Sequence, residues 1–303
     1  MSLSDQVWVA GEVLIDLISD GSKQKAVVGG GPANTAKALA KLGVKTHFID
    51  GISTDKYGQM AKAELLATDV ILDYVQYSNK PTCTAKVTLS LSGNALYEFA
   101  IKDTATFDFS ASWLPDPQKS MPSLLHIGTL ATVIEPGASV LFDWAQRVAL
   151  VAPIVFDPNI RPAFLGDRNM YVKKVEKWVA ISSVVKVSDE DLNWLYPGEA
   201  IIEIINKWFV VGVALVLVTF GDKGITAYRK NELISVEAVK VVVADTVGAG
   251  DTVGAILVEA IVAYGLDTLS GMSLEMMLNR AVKAAAITVS RTGANPPSKE
   301  EID

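Results

Sequence analysis

The chain has 303 residues, of which 50% are hydrophobic and 20% are charged, and its formal net charge is −7. This length allows one large α/β domain or two smaller ones with a full core, and the composition excludes an intrinsically disordered chain. Because phosphate backbones require clustered Lys and Arg, the acidic balance disfavours a large nucleic-acid interface but leaves room for a small anionic ligand.

Signals for export and membrane insertion are weak. Residues Met1–Asp5 lead directly into the strand-like Val7–Ala10 without a basic segment ahead of an apolar stretch, so we expect a cytoplasmic protein. The longest nearly uninterrupted apolar run, Trp208–Phe220, is too short to span a bilayer and predicts a helix end followed by a core strand. Cys83, the one cysteine, excludes an internal disulfide and is interpreted as a small buried apolar residue.

Strand-like and helix-like segments alternate along most of the chain. We predict strands at 7–11, 47–51, 124–128, 154–157, 184–187 and 214–220, and helices at 33–42, 58–67, 140–148, 169–180 and 199–208. Such alternation indicates βαβ units. The expected fold class is therefore α/β, with a mostly parallel central sheet and helices on both faces. Residues 1–303 form one domain in this interpretation, because no linker is long enough to separate two.

One region departs from this rhythm. Between Thr82 and Leu91 apolar and polar residues alternate strictly, which predicts a half-exposed antiparallel strand, and Ser92-Gly93-Asn94 predicts a hairpin turn before a return strand at Ala95–Ile101. With the short strand-like pieces Glu12–Ile18 and Lys25–Val28, this hairpin predicts a small β-sheet over one end of the main sheet. Segments 12–28 and 76–106 would then form a lid, whose physical purpose is to exclude water.

A glycine-bearing turn, Asp245–Thr252, carries the strongest chemical signal. The β-branched run Val239–Ala244 before it predicts a buried strand, and apolar residues at helical spacing follow it. If the turn opens that helix, the amides of Gly248, Ala249 and Gly250 point at an anion, with help from the helix dipole. Asp251 would sit beside that anion, which costs electrostatic energy and therefore suggests a catalytic purpose.

A second glycine cluster, Gly29–Gly31, lies where a strand is expected to enter a helix. Its glycines allow a ligand to approach the backbone, and Asn34 supplies an amide that both donates and accepts. Asp16, which follows the first predicted strand, offers a carboxylate. Together these groups suit a polyhydroxy ligand, although glycines of a tight turn and a helix-start proline explain the same pattern.

The two glycine turns fit two other nucleotide-binding patterns poorly. The chain contains no G-x-x-x-x-G-K-[ST], which disfavours a P-loop. Gly248, Gly250 and Gly254 imitate a dinucleotide fingerprint, but the third glycine comes one position late and Asp251 would press its charge against pyrophosphate. An oxidoreductase is thus an alternative that the turn disfavours.

Taken together, four ordered segments resemble the ribokinase-like (PfkB-type) carbohydrate kinases, and within them most closely the fructokinases. Asp245–Thr252 matches the C-terminal signature of that family, and Gly29–Asn34 matches its N-terminal signature region. Asp157–Pro162 has the form of its middle segment, and Arg291–Pro297 resembles the fructokinase tail. The resemblance covers essentially the whole chain and implies a ribokinase-like fold.

The resemblance implies transfer of the γ-phosphate of ATP to a sugar hydroxyl, most simply fructose to fructose 6-phosphate. Asp251 would be the general base, and the amides of Gly248, Ala249 and Gly250 would stabilise the transferring phosphoryl group. A carboxylate at a helix start is expected to stay ionised at neutral pH.

Further residues receive roles by the same resemblance. Asp16, Gly30 and Asn34 would bind sugar hydroxyls, Arg161 would lie near the sugar or the γ-phosphate, and Phe99 would pack over the sugar or belong to the sheet core. The nucleotide side is expected at Thr219, Gly221, Gly224, Ser188 and the small-residue helix face that includes Ala284.

Metal sites are also implied. Where the family commonly has Asn-x-x-Glu near magnesium, this chain has Ser188 and Asp191, so Asp191 would hold Mg²⁺ through water. A monovalent cation is also implied, with K⁺ as the candidate. It would be held mainly by the carbonyls of Asp245, Val247, Thr288, Arg291, Gly293 and Pro297.

The sugar itself is open at this stage. A 2-keto-3-deoxygluconate kinase would commonly place an arginine after the lid hairpin, where this chain has Lys102; a ribokinase or nucleoside kinase is a further alternative. A sugar-binding protein without turnover is an alternative of another class, since Ser188 and Asp191 depart from the family pattern. Sugar and ATP are the expected partners, with no membrane partner, and the lid sheet is a candidate surface for a homodimer.

Overall fold

The structure, a computed structural model, describes residues 6–20, 23–89, 95–162 and 167–303. Its strands are β1 Gln6–Ala10, β2 Leu14–Asp20, β3 Lys23–Gly29, β4 Lys45–Ile49, β5 Gly51–Ser53, β6 Gln76–Ser78, β7 Thr84–Leu89, β8 Ala95–Ala100, β9 Leu124–Gly128, β10 Ile154–Asp157, β11 Val184–Ser188, β12 Leu215–Thr219, β13 Ile225–Arg229 and β14 Glu232–Val236. Its helices are α1 Gly31–Lys41, α2 Lys56–Leu66, α3 Pro117–Ser120, α4 Gly137–Val148, α5 Arg168–Val179, α6 Asp189–Leu195, α7 Ile201–Val210, α8 Ala249–Tyr264, α9 Gly271–Val289 and α10 Lys299–Ile302.

The main sheet has eight strands in the order β14-β13-β12-β11-β10-β9-β1-β4. The six strands from β12 to β4 run parallel, while β13 and β14 continue the sheet as an antiparallel edge. Strand order reverses between β1 and β9, because β4 lies on one side of β1 and β9 on the other. In open α/β sheets ligands bind at the carboxyl ends of the strands beside such a reversal.

Both faces of this sheet are covered, which explains why its strands are nearly continuous apolar runs. One core joins sheet residues such as Val155 and Leu217 to α1, α8 and α9 through Leu39, Leu257 and Leu278. The other core packs alternate residues of the same strands against α4, α5 and α7 through Leu141, Trp178 and Trp208. The α/β class with helices on both faces is therefore confirmed.

A second, four-stranded sheet has the order β3-β2-β7-β8. Strand β7 runs antiparallel to β8, as its alternating sequence predicts, but parallel to β2. Cys83, just before β7, is fully buried, as expected. The predicted turn Ser92–Asn94 and the strand end at Ser90 and Leu91 lie outside the described residues. The small separate sheet is confirmed; its action as a lid stays a prediction.

The prediction of a buried strand at Val239–Ala244 is wrong. This segment forms no strand, and Val242 and Val243 are 89% and 57% exposed. The main sheet ends at β14, and the chain then turns away towards α8. The backbone N–H groups of Ala244 and Asp245 instead donate to the carbonyl of Val289 at the end of α9, at 2.8 and 3.2 Å. A β-branched composition favours a strand only where a sheet edge is available to pair with.

Most other predicted elements are present within a few residues. Trp208–Phe220 is a helix end followed by strand β12, and the helix after the glycine turn is α8. The antiparallel hairpin β13–β14 was not predicted. Its strands are short, and Lys230 and Asn231 in the turn between them carry no distinctive hairpin signal. No helix in the part of the chain that the structure describes is long and apolar enough to cross a membrane.

Candidate active site

A cavity of about 640 Å³ opens at the carboxyl ends of β1, β9, β10 and β11, beside the reversal of strand order. The small sheet contributes to one wall, and the first turns of α1 and α8 contribute to others. Its lining residues are Glu12, Leu14, Asp16, Gly29, Gly30, Gly31, Asn34, Ala85, Phe99, Thr129, Leu130, Asn159, Arg161, Pro162, Lys186, Thr246, Val247, Gly248, Gly250 and Asp251. The two glycine clusters, more than two hundred residues apart in sequence, thus line the same cavity.

Helix α1 supplies one polar wall of the cavity. Its N-cap is Gly30, with φ of 108°, and Pro32 lies in its first turn. A side chain at Gly30 would place its Cβ 2.4 Å from the Glu12 carbonyl oxygen, so the position requires glycine for space as well as for φ. This tight entry turns Asn34 inward, where it is 5% exposed.

Helix α8 supplies the opposite wall and begins as the sequence predicts. Its N-cap is Gly248 in the left-handed conformation, with φ of 82°. The first N–H groups of a helix lack partners within it, so the amides at 248–250 are a candidate anion-binding cradle next to the cavity. The Ala249 N–H makes a long hydrogen bond of 3.4 Å to the Thr246 carbonyl. Asp245 holds this turn in place, because its carboxylate accepts hydrogen bonds from the backbone N–H groups of Val247 at 3.0 Å and Gly293 at 2.9 Å.

Asp251 lies where the two walls meet. Its Oδ2 accepts a hydrogen bond from Asn34 Nδ2 at 2.9 Å, and the residue is 8% exposed. Burial raises the pKa of Asp251 to about 6, against the opposing effects of Lys186 and Asn34. The helix-start argument predicts the ionised form at neutral pH, and the carboxyl is still mainly ionised there. Burial nevertheless raises its pKa above the ordinary value, which makes the Asp251 carboxylate a stronger base than an exposed one.

A buried ion pair forms the floor of the cavity. Lys186 Nζ lies 2.7 Å from Asp157 Oδ2, and the two side chains are 6% and 3% exposed. Burial by itself lowers the pKa of Lys186, but Asp157 and Asp251 outweigh it and raise the pKa, so the ammonium stays charged. Lys186 Nζ also lies 3.0 Å from the position that a Cβ on Gly250 would occupy. The ammonium is therefore directly beneath the cradle.

Glu12 connects β1 to the small sheet and is 2% exposed. Its carboxylate accepts hydrogen bonds from the Thr129 hydroxyl and from the Ala131 N–H, the latter at 3.1 Å. Burial raises the pKa of Glu12 to about 7. Both protonation states are therefore populated near neutral pH, and the group serves as a hydrogen-bonding wall residue beside Asp251.

The small sheet and the segment after β10 complete the ligand-facing side. Asp16 lies in β2; burial raises its pKa, and the charge of Arg161 opposes this rise. Arg161 is exposed and donates to the carbonyl of Ile160 at 3.0 Å. Phe99 lines the cavity and also packs against the core of the main sheet, and its contact with a sugar stays a prediction. The side chain of Tyr97 lies outside the described part of the structure.

Of the residues predicted to bind the nucleotide, Gly248 and Gly250 line this cavity, and the other five do not: Ser188, Thr219, Gly221, Gly224 and Ala284. Ser188 and Thr219 are paired neighbours at the carboxyl ends of β11 and β12, on the same sheet edge as the cradle. Gly221 and Gly224 follow β12 with positive φ, and Ala284 is fully buried in α9.

The predicted metal ligands are already engaged in part. Asp191 Oδ1 accepts the N–H of Ile160 at 3.0 Å, and burial raises the pKa of Asp191. The Thr288 carbonyl accepts the N–H of Arg291 at 3.1 Å. Among the residues described, no three His, Cys, Asp or Glu side chains are grouped closely enough to hold a metal ion by themselves.

Several lining residues were missed from the sequence, above all Lys186, Glu12, Thr129 and Asn159. Lys186 left a detectable signal, since a lysine within a central parallel strand that is covered on both faces requires a buried partner. The others are ordinary polar residues after strands, and which of them face the cavity depends on strand order.

A glycine turn at the start of a helix and a buried carboxyl of raised pKa face one polar cavity, an arrangement that suits a group-transfer enzyme. A family model described as pfkB family carbohydrate kinase matches residues 4–301. A fructokinase of Rhizobium leguminosarum bv. trifolii is 34% identical over 251 residues, which cover 81% of this chain and 76% of that protein.

Solved structures agree with this. A fructokinase from Xylella fastidiosa with bound ATP superposes with a TM-score of 0.90 at 23% identity, over 99% of this chain and 97% of that one, which shows a shared fold. A fructokinase from Vibrio cholerae O395, in a form with fructose, ADP and calcium ion bound, gives 0.83 at 26% identity, over 95% and 94% of the two chains.

The chain therefore belongs to the PfkB family of carbohydrate kinases. It is a phosphotransferase that acts on a sugar hydroxyl, which confirms the resemblance seen in the sequence.

Proposed function

We propose that this protein is an ATP-dependent fructokinase in which Asp251 is the general base. The observation that carries the proposal is the position of Asp251, which the Asn34 amide holds at 2.9 Å between a polar cavity and the anion cradle. A base at this junction can accept a proton from a hydroxyl on one side while the oxygen attacks a phosphorus atom on the other.

The sugar is proposed to bind on the side of α1 and the small sheet. Asp16, Asn34 and the backbone at Gly30 offer donors and acceptors for hydroxyl groups, and Phe99 offers an apolar surface. The carboxyl groups of Glu12 and Asp16 repel a negatively charged substrate, and the positive charge of Arg161 already compensates that of Asp16. An uncharged polyhydroxy sugar fits this distribution better than a sugar acid such as 2-keto-3-deoxygluconate.

Phosphoryl transfer is proposed at the cradle. The sugar oxygen forms a bond to the γ-phosphorus of ATP, its proton passes to Asp251, and the bond from phosphorus to the bridging oxygen breaks to release ADP. The amides of Gly248, Ala249 and Gly250 stabilise charge on the phosphoryl oxygens, usually a large term in such reactions. The exposed valines at 241–243 supply an apolar surface that suits the nucleotide base. Thr219, Gly221, Gly224 and Ser188 are proposed to contact the nucleotide, and Ala284, which is fully buried, to shape the helix behind it.

The carboxylate at the predicted magnesium position, Asp191, is compatible with Mg²⁺ binding. Magnesium in such sites is held by one or two carboxylates, water and phosphate oxygens, and Asp191 retains a second oxygen beyond the one that the Ile160 N–H occupies. When bound, the ion would neutralise charge on the phosphates. For a monovalent cation such as K⁺ we propose carbonyls of Asp245, Val247, Thr288, Arg291, Gly293 and Pro297, because both carboxylate oxygens of Asp245 already accept N–H groups.

The substrate assignment follows the relatives, whose names are fructokinase, and the carboxyl groups of Glu12 and Asp16, which disfavour a negatively charged sugar. An ADP-release assay with Mg-ATP over fructose, ribose, 2-keto-3-deoxygluconate and a nucleoside tests it, and we expect the highest kcat/KM for fructose. Higher kcat/KM for another sugar would reassign the substrate. Sugar binding without any ADP release would identify a non-catalytic sugar-binding protein, and a bound nicotinamide would identify an oxidoreductase.

The pH dependence of kcat/KM tests the base. Only ionised Asp251 accepts a proton, so activity should fall as the pH drops through its pKa of about 6. At pH 5 we expect about tenfold lower kcat/KM than at pH 8. A carboxyl at the ordinary value of 3.8 would leave activity nearly flat over this range. Glu12→Gln, whatever its absolute rate, should keep the same fall of kcat/KM at low pH, the acid limb of the profile. Loss of this acid limb in Glu12→Gln would assign the titration to Glu12 instead.

Three further points stay predictions. We propose that residues 1–303 act as one kinase domain in which segments 12–28 and 76–106 close over the sugar as a lid. We also propose a homodimer through the small sheet, which a monomeric mass in solution would contradict. A cytoplasmic location is the third.

A further inference from the structure

The floor of the cavity gathers several carboxylates around one ammonium group. Lys186 pairs with Asp157 at 2.7 Å in a fully buried position, and Asp251 and Asp191 also act on its charge. Its Nζ lies 3.0 Å from the Cβ position of Gly250, the cradle residue that directly precedes Asp251. The ammonium therefore lies next to the cradle and acts on the charge of Asp251.

We propose that Lys186, held in place by Asp157, is a positioning residue that keeps the Asp251 carboxyl ionised while phosphate occupies the neighbouring cradle. This rests on the proposed function in so far as Asp251 is the base. Lys186 acts through Asp251 and through the electrostatics of the floor, and needs no direct contact with the sugar.

The electrostatic need for such a residue follows from the geometry. Asp251 is buried, which already favours its protonated form, and the cradle brings further negative charge next to it. An anion bound there raises the proton affinity of Asp251, and a protonated carboxyl cannot accept the proton of a hydroxyl. A fixed cation beside both groups lowers that affinity, typically by 1–3 pKa units at about 4–6 Å.

Lys186 is the main cation that acts on Asp251. Glu12 and Asp16 approach from the β1–β2 connection, and Asp191 from α6; all are acids. Burial lowers the pKa of His126, in β9, to about 4, so the imidazole is neutral. The charge of Arg161 also lowers the pKa of Asp251, but less than that of Lys186 does; its guanidinium belongs to an exposed residue and donates to nearby backbone carbonyls.

Contacts with Asp157 explain how a flexible lysine side chain can keep its ammonium group in one position. Its Oδ2 fixes the ammonium, and its Oδ1 is buried without a hydrogen-bond partner among the described residues, so Lys186 is the group that compensates this carboxylate. The Asp157 backbone is itself held tightly, because its carbonyl lies 1.9 Å from the Cβ position of Gly128 on β9. The lysine is thus anchored to the rigid centre of the sheet.

The chain offers a matched control. Lys37 is also a buried lysine in an ion pair, 4% exposed and 2.6 Å from Glu64, but it lies outside the cavity. Lys186→Gln and Lys37→Gln each remove one buried charge and leave an amide that can donate to the remaining carboxylate. Lys186→Arg restores the charge, and Lys186→Met is a second neutral variant should the glutamine variant not fold.

The test is a ¹³C NMR titration of aspartate side-chain carboxyls in the full chain, with the Asp251 resonance assigned by its loss in Asp251→Asn. We expect Lys186→Gln to raise the Asp251 pKa by at least one unit, Lys186→Arg to return it close to the wild-type value, and Lys37→Gln to leave it unchanged. The acid limb of kcat/KM should move with it. An unchanged Asp251 pKa in Lys186→Gln, or an equal shift in Lys37→Gln, would overturn the proposal.

The titration also separates the two proposals. Absence of sugar phosphorylation by the wild-type protein would overturn the proposed function, whereas the NMR shift would still decide whether Lys186 controls the ionisation of Asp251. Conversely, an active wild-type enzyme with an Asp251 pKa independent of Lys186 would overturn this inference alone.

Discussion

Asp251→Asn is expected to lower kcat by about 10²–10⁴, the usual contribution of a general base, while the protein still folds and binds sugar and nucleotide. The amide has nearly the same shape as the carboxyl, and its oxygen can still accept the hydrogen bond from Asn34. It cannot accept the proton of the sugar hydroxyl, so the loss falls on the chemical step.

Although the activity of this variant falls, its stability should not fall with it. Because the pKa of Asp251 is raised in the folded state, its ionised form is disfavoured by folding at neutral pH, and a neutral amide removes that cost. The free energy of unfolding should therefore not decrease. ADP release, calorimetric binding of the sugar and thermal unfolding measure the three properties.

The control is Asp143→Asn on the exposed side of α4, which removes the same charge away from the cavity and should keep wild-type kcat. A folded Asp251→Asn protein with wild-type turnover would contradict the assignment of the base.

Gly128→Ala is expected to destabilise the fold strongly, by about 3 kcal/mol, the upper end of the usual cost of overpacking. Gly128 ends β9, and an added Cβ would lie 1.9 Å from the carbonyl oxygen of Asp157 on β10. Backbone, not a flexible side chain, occupies that space, so the two strands must separate at the point where Asp157 holds Lys186. We expect activity to fall together with stability.

Gly254→Ala is the matched control for this prediction. Gly254 lies inside α8, and its added Cβ would make an ordinary contact of 3.6 Å with His126 Nε2. Alanine is a better helix former than glycine by about 0.8–1.0 kcal/mol, so this variant should be as stable as the wild type or more stable. Chemical denaturation of both variants measures the difference; equal stability of the two would contradict the strand contact.

Local sequence was sufficient where a signal and its structural cause lie close together in the chain. The turn Asp245–Thr252 carries its own glycines, its own carboxylate and the apolar helix that follows, and α8 begins there as predicted. Gly29–Asn34 likewise predicts the start of α1. In both cases a positive φ or a close backbone approach selects glycine, so the residue type reports the local geometry directly.

Long-range geometry limited the prediction elsewhere. The β-branched segment Val239–Ala244 has the composition of a core strand, yet the sheet ends at β14 and leaves those residues exposed. Glu12 and Asn159 became cavity residues through the order of the strands they follow. Lys186 was missed, although a lysine in a central strand is unusual, and its partner comes from the neighbouring strand.

The sequence by itself determined the fold class, the kinase family and the two glycine turns, because each of these rests on patterns within one short segment or on their order along the chain. The tertiary structure alone decided that Asn34 holds Asp251, that Lys186 pairs with Asp157 beneath the cradle, and that burial raises the pKa of Asp251. The physical reason is that hydrogen bonds, ion pairs and desolvation depend on distances between atoms far apart in the chain, and those distances exist only after the sheet has assembled.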